Sequence, residues 1–127
     1  MPVIEVSALP QRDEADTAAA AAAVTEAAAA LLGEEPRGTW VVWRTIEPGL
    51  YAEGDLAPAV QPPATHPPLV EVVAYEERPP ELVERILVAV AETLARELRL
   101  ERGNVFVRWV EATAGRLHTG GRVAGTA

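Results

Sequence analysis

The sequence is short of the residues that many enzymes use for chemistry. It has no cysteine, which excludes a disulfide, a thiolate nucleophile and a cysteine-ligated zinc site. It has no lysine either. All eleven basic residues are arginine, so a lysine Schiff base and a P-loop lysine are excluded. The one serine, Ser7, lies in a strand-like run. The two histidines are far apart, His66 in a proline-rich stretch and His118 near a Gly-Gly pair. These positions argue against a Ser-His-Asp triad and against a histidine-rich metal site. Any catalytic base has to be a carboxylate, a tyrosine or the amino terminus.

Nineteen acidic residues against eleven basic ones give a net charge of −8, the wrong sign for broad nucleic-acid binding. The longest apolar run, Thr17 to Leu32, is mostly alanine and contains Glu26, which is too short and too weakly apolar for a membrane span. The opening Met1-Pro2-Val3-Ile4-Glu5 lacks a basic segment followed by an apolar one. A soluble, cytoplasmic protein is expected.

What is present is one pattern written twice. The 127 residues, 49% of them hydrophobic, suffice for one compact domain. A shift of 66 residues lays Pro2–Arg12 on Pro68–Arg78, with Pro, Glu, Val, Ala and Arg identical. At the same offset Val24 meets Val90, Leu32 meets Leu98, Trp40-Val-Val-Trp43 meets Phe106-Val-Arg-Trp109, and Gly49 and Gly54 meet Gly115 and Gly120. A register held through three elements indicates duplication. The expected division is a first unit over 2–55, a proline-rich linker over 56–67, a second unit over 68–122 and a tail over 123–127.

Each unit reads as strand, helix, strand. Val3–Leu9 and Leu69–Tyr75 are β-rich runs, and Trp40–Ile46 and Val105–Val110 are the second strands. Asp13 is the expected N-cap of the first helix and Gly33 its terminator, while Pro79-Pro80-Glu81 opens the second. Val83, Ile86, Leu87, Val90, Leu94 and Leu98 follow helical spacing and mark a buried face. Five prolines between Leu56 and Pro68 predict a stiff, extended linker. The expected fold is α+β: two β-α-β units forming a four-stranded sheet with both helices on one face. The other face then lacks cover, with Trp40, Trp43, Phe106 and Trp109 to be accommodated, which predicts a homo-oligomer.

Removal of Met1 would leave Pro2 as a secondary amine. Burial and nearby positive charge lower such an amine's pKa, making it a general base near neutral pH. An arginine ten residues on supplies charge and a carboxylate clamp. With Pro2 and Arg12 after the first strand, Pro68 and Arg78 at the same spacing, and a tail ending in Gly120-Gly121, the sequence resembles the tautomerase superfamily, in its oxalocrotonate tautomerase-like, fused two-unit form.

The resemblance implies the tautomerase fold, a trimer, and one active site per chain, because Pro68 lies within the chain. It makes Pro2 the base and the second unit's Arg78 the clamp for the substrate carboxylate, with Arg12 near Pro68. A further arginine of the family's second strand is replaced by Trp40 and Phe106. Arg108, two residues on, is the stand-in, and Tyr51 matches an aromatic residue of the family's hairpin. The implied activity is enol–keto proton transfer on a small α-keto or 2-hydroxy-unsaturated acid, with no metal or organic cofactor. Two alternatives stand beside it. One is a dehalogenase or decarboxylase on the same scaffold, although its extra acid and arginine positions hold Thr39, Thr119 and Tyr75 here. The other is a non-catalytic ferredoxin-like binding module.

Overall fold

A computed structural model describes residues 2–12, 17–75 and 77–125. Asp13, the expected helix cap, lies outside them. The first unit comprises β1 (Val3–Ala8), α1 (Thr17–Leu32), a 3₁₀ turn (Pro36–Gly38) and β2 (Trp40–Thr45). The second comprises β3 (Leu69–Tyr75), α2 (Pro80–Glu97) and β4 (Phe106–Ala112), followed by a small hairpin, β5 (His118–Thr119) and β6 (Arg122–Val123).

The main sheet has the order β2-β1-β3-β4. The β1–β2 and β3–β4 pairs are parallel, as β-α-β crossovers require, and the central β1–β3 pair is antiparallel. Across that centre Glu5 stands opposite Glu71, its own counterpart at the 66-residue offset. The duplication is therefore a two-fold relation in space, with its axis between these two residues. The fold is the expected α+β arrangement of duplicated β-α-β units.

The core lies between one sheet face and the two helices. Alternation along β1 and β3 turns Ile4, Val6, Ala8, Val70, Val72 and Ala74 inward. Ala20, Val24, Ala28 and Ala29 of α1 are buried, and at the same offset so are Ile86, Val90, Leu94 and Ala95 of α2. The same positions point inward in both helices, but at two of them α1 brings a methyl group, Ala20 and Ala28, where α2 brings a branched side chain, Ile86 and Leu94. Both helices end alike. Glu34 N–H donates to Ala29 O and Leu100 N–H to Ala95 O, with a left-handed residue before each donor. That residue is Gly33 in α1, as expected, but Arg99, with φ of 55°, in α2.

The structure corrects two expectations. The four aromatic residues of β2 and β4 do not share the uncovered face. Trp43 and Trp109 pack on the helix side against the core, while Trp40 and Phe106, 52% and 53% exposed, lie on the open face. The period of two in a strand requires this, because residues three apart point to opposite sides. Nor is the proline-rich segment an extended spacer. Gln61 and His66 within it are buried, and its carbonyls are gathered by buried side chains. Prolines leave a carbonyl with no N–H of their own, so side-chain amides become the donors that fold such a segment.

Candidate functional site

The antiparallel β1–β3 register, Val3 opposite Val73, sets the start of β1 beside the end of β3. One end of the sheet thus carries Pro2, Tyr75 and the turn containing Arg78. The other carries Pro68, the end of β1 and Arg12.

The Pro2 end is built as follows. Pro2 is buried, and its carbonyl accepts a 3.0 Å hydrogen bond from Trp40 N–H at the start of β2. Thr39, just before β2, is 4% exposed, and its Oγ1 has no hydrogen-bond partner among the described residues. Arg78 is half-buried and its Nη2 lies 3.3 Å from Glu34 Oε1, just beyond the end of α1. Tyr75 lines a cavity of about 620 Å³ with Thr119, Gly120, Arg122, Ala124 and Gly125 of the terminal hairpin. Gly125 is needed there. It adopts φ of 79°, and a Cβ would fall 2.2 Å from the Tyr75 hydroxyl oxygen.

The Pro68 end repeats the ladder and closes it. Phe106 N–H donates to Pro68 O at 3.0 Å, the counterpart of the Trp40–Pro2 bond. Above it, Tyr51 donates its phenolic hydrogen to Pro67 O at 2.7 Å and meets the His66 ring edge-on, with centroids 5.1 Å apart. Burial pushes the Tyr51 pKa above its usual value near 10.0, and the Glu53 carboxylate adds to the shift, so the phenol stays a donor. His66 Nε2 lies 2.9 Å from Leu56 O. A carbonyl only accepts, so Nε2 carries the hydrogen and Nδ1 faces the Thr65 hydroxyl at 2.9 Å. Gln61 Nε2 donates to Pro62, Thr65 and His66 carbonyls, and Asn104 Nδ2 to those of Pro62, Pro63 and Thr65.

The five residues singled out from sequence therefore separate. Pro2 and Arg78 share one end. Tyr51 lies at the other, as does Arg12, which donates to Leu98 O and Arg99 O and so caps α2. Arg108 is in mid-sheet on the open face, 2.8 Å from Glu71, beside a second pair in which Arg44 lies 3.5 Å from Glu5. Tyr75 and Arg122 at the Pro2 end were not singled out as site residues from sequence. Only the return of the hairpin onto the end of β3 joins them. Among the described residues no group of three or more His, Asp or Glu side chains is arranged to hold a metal.

Neither a comparison with protein-family models nor one with curated proteins finds a match. Solved structures do match. A native fused 4-OT is 21% identical, with 96% of this chain and 95% of that one covered and a TM-score of 0.83. A fused 4-OT described as an asymmetric trimer is 16% identical over 96% and 95%, with a TM-score of 0.82. A member of the cis-3-chloroacrylic acid dehalogenase family, N1, is 19% identical over 95% and 82%, with a TM-score of 0.71. The chain has the fold of the fused 4-OT proteins. In this chain the two ends described above are the two places where a β-α-β unit begins with proline.

Proposed function

We propose that this chain is a cytoplasmic, cofactor-independent tautomerase that moves a proton between oxygen and carbon of a small enol or α-keto acid. After removal of Met1, the Pro2 amine takes the proton from the enol hydroxyl and returns it to carbon. Arg78 binds the substrate carboxylate, exchanging Glu34 for it. Arg108, Arg12 and Tyr51, which lie away from Pro2 in one chain, join the site only across a subunit boundary, with Arg108 polarising the carbonyl oxygen as charge develops. The assembly we propose is a homotrimer. It would cover the open face with its exposed Trp40 and Phe106, and one fused 4-OT relative in fold is described as a trimer.

The observation that supports this reading is that the β1–β3 register sets Pro2, the turn containing Arg78 and the Tyr75-lined hairpin cavity at the same end of the sheet. The test follows enol-to-keto conversion of 2-hydroxymuconate and phenylenolpyruvate by ultraviolet absorbance, using protein shown by intact mass to lack Met1. Pro2→Ala is expected to lower kcat/KM by about 10²-fold or more. Activity equal in wild type and Pro2→Ala would sink the reading. Turnover of chloroacrylates or malonate semialdehyde in place of enols would move it to hydrolytic dehalogenation or decarboxylation at the same amine.

A further inference from the structure

Four buried side-chain polar atoms lack a hydrogen-bond partner among the described residues: Thr39 Oγ1, Gln61 Oε1 and the indole Nε1 atoms of Trp43 and Trp109. The two indoles stand at equivalent positions of the two units and belong to what the units share. Gln61 already spends its amide nitrogen on three carbonyls. Thr39 differs from these. Its counterpart at the 66-residue offset is Val105, which is nearly its shape without the hydroxyl. The strand register at the two positions is the same. Val3 pairs with Trp40 and Leu69 with Phe106, so Thr39 lies across from Pro2 and Val105 from Pro68. The hydroxyl occurs only beside the proline that can become an amine.

The register sets the two residues opposite each other on one face of the sheet. In a parallel ladder a residue's N–H and C=O point toward the same neighbour. The Pro2 carbonyl accepts from Trp40 N–H, so the Pro2 nitrogen also faces β2. Thr39 has extended backbone, φ −113° and ψ 125°, and by alternation with Val41 and Trp43 its side chain is on the helix-covered face. Pro2 is on that face by alternation with Ile4 and Val6. A strand spacing of about 4.8 Å brings a hydroxyl and an amine at opposed positions within reach. A proline nitrogen inside a peptide bond has no hydrogen to offer. A free amino-terminal proline has one when neutral and two when charged, and a buried hydroxyl without a partner is rare.

We propose that Thr39 is the positioning residue for Pro2, its Oγ1 accepting an N–H of the free amine and so turning the lone pair toward the substrate. This rests on the reading of Pro2 as the base. Of the ionisable groups on the elements around it, Arg78 pairs with Glu34, Arg37 with Glu35 and Arg44 with Glu5, while Tyr75 lines the hairpin cavity.

The test uses Met-free wild type, Thr39→Val and Thr39→Ser. Thr39→Val keeps the shape and removes the hydroxyl, and Thr39→Ser restores it. Two quantities are read: the titration of the Pro2 amine by nitrogen-15 NMR in proline-labelled protein, where only an amino-terminal proline titrates, and the pH profile of kcat/KM. An acceptor stabilises the charged amine most, so Thr39→Val should lower the amine titration and the acid limb by about half a pH unit. It should also cut kcat about tenfold at little change in KM. Thr39→Ser should recover both. An unmoved titration in Thr39→Val would assign the N–H to the Gly38 carbonyl, the next acceptor on β2, and overturn the proposal. An upward shift would mean that the hydroxyl donates to the lone pair, which also overturns it. The titration is read without turnover, so failure of the proposed reaction and failure of this contact are separate results.

Discussion

Pro2 and Pro68 occupy the same place in the same ladder, each taking a 3.0 Å bond from the residue that opens the neighbouring strand. Their surroundings differ. Across from Pro2 stands Thr39, whose hydroxyl has no partner among the described residues, and the half-buried Arg78 and the hairpin cavity lie at the same end of the sheet. Beside Pro68 stands Val105, and over it lies a plug of the chain's own polypeptide, tied down by Tyr51, Gln61, His66 and Asn104. A repeated backbone fixes where a proline sits. The residues that differ between repeats decide what surrounds it.

The largest expected effect tests that contrast directly. Pro2→Ala should cost about 10²-fold or more in kcat/KM, while Pro68→Ala should leave it within about twofold, because an in-chain proline has no basic nitrogen. Equal losses in the two variants would mean that the prolines act through shared structure.

The next effect separates the helices. Leu94→Ala removes a fully buried leucine that α2 carries at the position equivalent to Ala28 of α1, and should destabilise the protein by about 2–5 kcal/mol in urea unfolding. Ala28→Leu should cost about 1–3 kcal/mol for the opposite reason, overpacking. A neutral Ala28→Leu would show unfilled space under α1 and break the view that α2 supplies the bulk.

Arg78→Ala should mainly raise KM, by about tenfold, with kcat less affected, as expected for loss of a substrate contact rather than of the base. An unchanged KM would leave Arg78 as a partner of Glu34 only.

The smallest effect lies in the plug. Tyr51→Phe deletes the bond to Pro67 O and should cost about 0.5–1.5 kcal/mol. The sign of its pH dependence follows from the raised pKa. The stabilisation is fully present below the ordinary tyrosine value near 10.0 and is lost as pH rises through the higher folded value. Urea midpoints on either side of that window should converge for wild type and Tyr51→Phe at the alkaline end. A constant gap would mean that Tyr51 does not titrate with unfolding.

Much of the fold was legible in the sequence because duplication leaves a register that can be counted. The 66-residue offset identifies the paired strands, the paired helices and even the buried helix positions, from Ala20 and Ile86 to Ala29 and Ala95. Helix and strand periods are local properties, set by which residues one turn or one pleat turns inward. The same local rule, applied at spacing three, would have split Trp40 from Trp43. Arg99 in a glycine's place was not legible: the backbone bond from Leu100 N–H to Ala95 O closes the helix and Arg12 bonds the Arg99 carbonyl, in a conformation that local preference resists.

The sequence by itself determined the two β-α-β units, the proline at the head of each, and the absence of cysteine and lysine. Only the tertiary structure decided which arginine lies at the Pro2 end of the sheet. Arg12 and Arg78 stand at identical spacing from their own prolines, and the antiparallel β1–β3 pairing exchanges their ends, leaving Arg78 at the Pro2 end and Arg12 as a cap on α2. It also folded the proline-rich segment over Pro68 and set the lone hydroxyl of Thr39 across from Pro2. Such relations depend on which strand edge meets which, and strand pairing joins residues distant in the chain through backbone hydrogen bonds that carry no mark in a local pattern.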